Sequence, residues 1–194
     1  MPQPFKRNPL SRDEVDRLLR ACRTDAERLA VLLPLLTGLR LSEIVSLRPA
    51  NYDQVAGHIR IISARHNRET REIPVSPTVK SLLSHFFSEH ASVGMSARSI
   101  QRTVARVAKR ARIDHPVSPH VLRHTFASRA VDAGIPLHVL QHVMGHASTI
   151  MTERYLRAEL SRQNVICELE RVWKEGGVGD EPSHQTRRRT SKAR

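Results

Sequence analysis

The chain has 194 residues, 39% hydrophobic and 26% charged, which is enough for one well-cored domain with or without a tail. A net charge of +13 and an isoelectric point near 11.2 favour a polyanionic partner, because each neutralised phosphate releases condensed counterions. Cys22 and Cys167 form no CxxC pair, which argues against a disulfide framework or a cysteine-based zinc site, and neither an apolar signal core nor a bilayer-spanning run occurs. These features point to a soluble, cytoplasmic protein associated with nucleic acid and not with membrane.

Pro2, Pro4 and Pro9 discourage helix over residues 1–10, which read as a flexible lead-in. Ser11 and Glu14 have capping-box spacing, and Val15, Leu18 and Leu19 follow at helical intervals. A second helix starts near Asp25 and carries Leu29, Leu32, Leu33 and Leu36 inward; Pro34 is expected to bend it or end it early. Cys22 reads as a small core residue. Gly38 offers a C-terminal stop, and a short helix is expected from Ser42 to Leu47. Between them stands Arg40, three residues before Glu43, suited either to an Arg–Glu tie between helices or to phosphate binding.

His58 to Ser63 and Glu72 to Val75 read as the two strands of a β-hairpin. Its basic connection places Arg65, His66, Arg68 and Arg71 near the tip or inner ends, as a solvated loop or as a DNA-facing one. Ser76-Pro77 opens a helix that presents Val79, Leu82, Leu83, Phe86 and Phe87. The next helix buries Ile100, Val104, Val107 and Ala111 and carries Arg98, Arg102, Arg106, Lys109 and Arg110. No acid lies between Arg98 and Arg112, so this helix is expected to lie along a phosphate backbone.

Ser118-Pro119 caps a helix that runs to Gly134 and buries Val121, Leu122, Phe126, Ala130 and Val131. A shorter one runs from Pro136 through Met144 to Gly145. The last helix, about 160–173, is amphipathic, with Val165, Ile166, Leu169 and Trp173 on its apolar side. Residues 174–194, ending RRRTSKAR, read as a basic, disordered tail. The domain proper is therefore expected over 11–173.

The richest chemistry lies between Val117 and Tyr155. His120, Arg123 and His124 share one side of a helix, a grouping suited to one phosphate: Arg supplies a fixed two-pronged donor and His exchanges a proton. The HxxxH spacing also admits zinc. Zinc hydrolases, however, set a Glu beside the first His, and no Asp or Glu lies between Asp114 and Asp132, so the metal reading is set aside.

Taken together, TGLRLSEI, HVLRHTFAS, MGHAS and TERYL resemble the conserved boxes of the tyrosine recombinase (phage integrase) catalytic domain, in the right order. The Tyr lies nine residues after the His of the GH box, and that His lies 23 positions after Arg123. The match extends from about Pro9 to Trp173. The resemblance implies a mainly α fold with a small antiparallel β-hairpin or three-stranded sheet. It further implies cleavage and rejoining of double-stranded DNA without metal or nucleotide cofactor. By the same resemblance Arg40 and Arg123 would bind the non-bridging oxygens of the scissile phosphate. His120 would assist proton transfer there, and His146 would hydrogen-bond a phosphate oxygen. Tyr155 would attack to form a 3′-phosphotyrosyl link, with Glu43 and His124 supporting the site. A homo-oligomer on DNA, joined through helix 160–173, is the expected assembly.

The sequence departs from the family pattern in the hairpin. The family carries there a Lys that protonates the leaving 5′-oxygen, yet no Lys occurs between Lys6 and Lys80. His66 stands at the usual position, or Arg65 if the turn is longer. Histidine can act as an acid near neutral pH, whereas Arg, with a pKa above about 12, is a poor one. A second departure is that a helical domain usually precedes the catalytic one in the family, whereas the sequence opens at the catalytic domain; a minimal recombinase, an excised or degenerate fragment and a domain helped by another protein are all consistent with this. A catalytically impaired DNA-binding module of the same fold, a type IB topoisomerase-like enzyme that relaxes supercoils and, last, metal-dependent hydrolysis are the rival readings.

Overall fold

The computed structural model describes residues 8–62 and 70–145. The hairpin tip with Arg65, His66 and Arg68 lies outside the described residues, as do His146, Tyr155, the expected helix 160–173 and the tail.

Helix α1 (Arg12–Arg20) starts from the expected capping box: the Glu14 N–H donates to Ser11 Oγ at 3.3 Å and the Ser11 N–H to Glu14 Oε2 at 2.8 Å. Helix α2 (Asp25–Thr37) is the centre of the fold, buried without interruption from Leu29 to Thr37, and it packs against α1, α3, α4, α5 and α6. The remaining helices are α3 (Leu41–Ser46), α4 (Pro77–Glu89), α5 (Ala97–Arg110), α6 (Pro119–Asp132) and α7 (Leu137–Val143). Strands β1 (Tyr52–Asp53), β2 (His58–Ile62) and β3 (Thr70–Pro74) form an antiparallel sheet in that order. The expected hairpin is present, and β1 makes it three-stranded.

Two expectations need correction. The second helix does not end at Pro34 but continues to Thr37. Proline removes one N–H donor, and here a helix buried on every side is held by packing that outweighs the missing bond. Val131 is not in the core: it is 55% exposed, because the helix face it shares turns to an open cavity. Cys22 is half-buried and packs against the core as expected; burial pushes its thiol pKa up to about 11, which makes it a poor nucleophile at neutral pH.

Gly38 closes α2 in the left-handed conformation (φ 65°), and a Cβ there would lie 2.6 Å from Phe126 Cδ1 on α6. Both the backbone angle and the contact demand glycine. Gly38→Ala is expected to lower stability by about 3 kcal/mol, combining left-handed strain with core overpacking. Urea unfolding checks this; a loss within experimental scatter would mean that Phe126 moves aside freely.

Candidate active site

Arg40 follows the chain reversal at Gly38 and is the N-cap residue of α3. Its backbone N–H donates to Glu43 Oε2 at 2.8 Å and its Nη1 to Glu43 Oε1 at 3.2 Å. The Arg–Glu tie is therefore formed, yet 42% of the Arg40 side chain remains exposed, so the pair does not exhaust the guanidinium.

Helix α6 supplies the next groups. The Val121 N–H donates to Ser118 Oγ at 3.3 Å and Pro119 occupies the first turn, as the Ser-Pro pair led one to expect. His120 and His124 are exposed while Arg123 turns inward, only 8% exposed. All three line one open cavity of about 1230 Å³ together with Arg40. Helical spacing puts the three near each other; only the fold adds Arg40.

The second reversal lies at the end of α7. Three consecutive carbonyls there each accept a hydrogen bond from an arginine of a different element. Arg71 Nε on β3 donates to Val143 O at 3.0 Å, Arg123 Nη2 to Met144 O at 2.7 Å and Arg40 Nη2 to Gly145 O at 2.7 Å. The last carbonyls of a helix have no intrahelical donor and carry the negative end of its dipole, so cations cap them well. Arg123 Nη1 also donates to the Gly38 carbonyl, joining the two reversals. Gly145 (φ 65°) has no room for a side chain: a Cβ would lie 2.6 Å from Arg71 Nη1 and 2.9 Å from Arg40 Nη1.

The electrostatics follow from this crowding. Arg71 Nη2 reaches Glu43 Oε2 at 2.8 Å, so one carboxylate serves two guanidinium groups, with Arg123 close enough to feel all three charges. Burial first, and then the charge of Arg40, lower the Arg123 pKa to about 10, with Glu43 opposing. Burial likewise lowers that of Arg71, again against Glu43. Arg123 still carries its charge at neutral pH, and the surplus positive charge suits an anionic group.

The basic residues of the sequence divide into two groups. Arg98, Arg102 and Lys109 lie on the exposed side of α5. Arg110 instead turns to α2, where its Nη2 donates to buried Glu27 at 2.6 Å, and Arg106 approaches the same carboxylate at 3.5 Å while staying mostly exposed. Arg71 is 7% exposed and bonded to Glu43 and Val143, so it is a buried tie and not a DNA-facing residue. The strand pattern carried the signal: Ile73 points to the core, and Arg71, two residues earlier, shares its face opposite Ile61.

The phage integrase family model matches residues 8–162. A tyrosine recombinase of Agathobacter rectalis is 28% identical over 157 residues, covering 73% of this chain and 51% of its own. The tyrosine recombinase XerA of Saccharolobus solfataricus is 30% identical over 146 residues, covering 73% of this chain and 49% of its own. The chain thus spans about half the length of these curated relatives. Among solved structures, the integrase of mycobacterium phage Brujita superposes with a TM-score of 0.72 at 22% identity, over 89% of this chain and 60% of that one. A XerA recombinase gives 0.64 at 26% identity, over 82% and 66%. A lambda integrase (75–356) dimer bound to a COC′ core site gives 0.63 at 20%, over 77% and 61%.

Proposed function

Because this chain belongs to the phage integrase family, we propose that it is the catalytic domain of a tyrosine-type site-specific recombinase, cutting and rejoining duplex DNA through Tyr155. The observation that carries this reading is the gathering of Arg40 and Arg123 at one cavity beside His120, with Glu43 shared between Arg40 and Arg71 behind them. In the proposed reaction Arg40 and Arg123 hold the non-bridging oxygens of the scissile phosphate, and His146 adds a hydrogen bond to it. The phenol oxygen of Tyr155 bonds to phosphorus as its proton passes to a neighbouring base, with His120 assisting. The bond to the 5′-oxygen breaks and that oxygen takes a proton, for which His66, or less effectively Arg65, is the hairpin donor. Guanidinium groups already in place stabilise the phosphorane without reorganisation. The phosphotyrosyl link conserves the bond energy, so a second 5′-hydroxyl can reverse the step without nucleotide or metal.

Arg98, Arg102 and Lys109 on α5 are the proposed contacts to the duplex backbone, joined by Arg68 in the hairpin, while Arg106 shares its charge with Glu27. Residues 11–173 make the proposed catalytic domain, and helix 160–173 the contact to a second protomer on DNA. No helix among the described residues is long and apolar enough to cross a membrane, and the proposed place of action is the cytoplasmic nucleoid.

Trapping on a nicked suicide duplex tests the proposal. The wild-type chain is expected to form a protein–DNA adduct that survives boiling in detergent, and Tyr155→Phe to form none while binding the duplex equally well. The absence of a Lys between Lys6 and Lys80 favours a second reading, a DNA-binding module with impaired cleavage. That reading predicts salt-sensitive binding and no wild-type adduct, with cleavage appearing once Lys replaces His66 or Arg65.

A further inference from the structure

Arg71 is the one arginine of the cluster that the proposed reaction leaves unused. Its side chain is 7% exposed, its Nε donates to Val143 O at 3.0 Å and its Nη2 to Glu43 Oε2 at 2.8 Å. The same Glu43 oxygen accepts the Arg40 backbone N–H, and the other oxygen accepts Arg40 Nη1. Glu43 therefore stands between Arg71 and Arg40, and its orientation sets that of the Arg40 guanidinium. At its other end Arg71 fixes Val143, two residues before the Gly145 carbonyl that accepts Arg40 Nη2. The buried side chain of Arg71 thus holds one anchor of Arg40, the carboxylate, directly, and the other, the Gly145 carbonyl, through the backbone two residues earlier. Gly145 completes the arrangement, since a Cβ there would occupy the space of the Arg71 and Arg40 guanidinium groups.

We propose that Arg71 is a positioning residue, which aims Arg40 at the scissile phosphate by holding Glu43 and the end of α7, without itself touching DNA. The inference rests on the recombinase reading of the site. A forked guanidinium is required because two acceptors in different directions must be met from one buried head; a lysine ammonium is a point charge and is not pre-organised for both. A small misplacement of a phosphate-binding group is enough to slow chemistry about 100-fold, so the effect should appear in the rate of the bonded step and not in affinity.

The test compares the full chain with Arg71→Gln, Arg71→Lys, Glu43→Gln and the double variant Glu43→Gln/Arg71→Gln. Affinity for a nicked duplex is measured over a range of salt, and the adduct rate at saturating DNA. Side-chain Nε–H resonances of Arg40 and Arg123 are recorded by NMR without DNA. Arg71→Gln is expected to leave affinity and its salt slope unchanged while slowing adduct formation about 100-fold, with Arg71→Lys recovering only a small part. The double variant should be little slower than Glu43→Gln alone, as expected of residues acting through one another. The Arg40 resonance should shift and broaden in Arg71→Gln. A salt slope reduced by about one unit with weakened binding would make Arg71 a phosphate contact and overturn the proposal. So would an unchanged adduct rate accompanied only by a lower melting temperature, or losses that multiply in the double variant. If the wild type forms no adduct, the recombinase reading fails by itself; the Arg40 resonance then decides the positioning role, and an unchanged resonance ends it.

Discussion

Replacing Arg123 with alanine is expected to slow adduct formation by about three orders of magnitude and to lower folding stability by about 3 kcal/mol, from two carbonyls losing their donors at about 1–3 kcal/mol each with partial relief by water from the cavity. The carbonyls are Gly38 O at the end of α2 and Met144 O at the end of α7, both helix termini that depend on a donor from outside the helix. The chemical loss has a separate origin, the missing charge at the phosphate, and should reach about a thousandfold, as for the removal of an oxyanion-stabilising donor. Arg123→Lys separates the two effects. One ammonium cannot serve Gly38 O, Met144 O and a phosphate in the guanidinium plane. The variant should therefore regain part of the stability and little of the rate. Urea unfolding and suicide-duplex trapping, run at a temperature where every variant is folded, give both quantities. Cleavage by Arg123→Ala within tenfold of wild type would remove Arg123 from the proposed chemistry.

Glu27→Ala carries the other large effect, far from the cavity and on stability alone. The carboxylate is 6% exposed and accepts from Arg110 Nη2 at 2.6 Å and from the Arg23 backbone N–H at 2.8 Å, with Arg106 Nη2 at 3.5 Å. Its removal leaves Arg110 without its ionic partner between α2 and α5, at a cost of about 3 kcal/mol, the lower end of the range for breaking a buried pair. Changing both partners to methionine should recover much of this, because desolvation offsets most of what such a pair contributes. The Arg110 hydrogen bond holds the Glu27 pKa below the usual carboxylate value, aided by the Arg23 N–H and the charges of Arg110 and Arg106, against burial. A depressed folded pKa means stability that is complete above the unfolded value of about 4.3 and is lost as pH falls through the folded one. The stability gap between wild type and Glu27→Gln should therefore narrow as pH falls from above to below the unfolded value of about 4.3. A gap that stays constant over that range would show that the charge of Glu27 contributes nothing.

What the sequence determined by itself is local or written in short boxes. Ser11 with Glu14, Ser76 with Pro77 and Ser118 with Pro119 place helix starts, because a cap is made within three residues of itself. Apolar periodicity located the faces of α4 and α5, and the boxes around Arg40 and Arg123 indicated the family and two groups that do share a cavity. Periodicity says which face is apolar, not what lies opposite, and there the tertiary structure decided. Arg110 meets Glu27 across 83 residues of sequence, and Arg71 meets Val143 across 72. Charge suggested a DNA-facing role for both, but a buried carboxylate and an open helix end are stronger local partners for a guanidinium than water is. Val131 and Pro34 err in opposite directions for one reason: a cavity exposed an apolar residue, and a fully packed helix tolerated a proline. Three arginines from separate parts of the chain on three successive carbonyls at the C-terminal end of α7 could not be read from any one segment, because the groups that meet there are brought together only by folding.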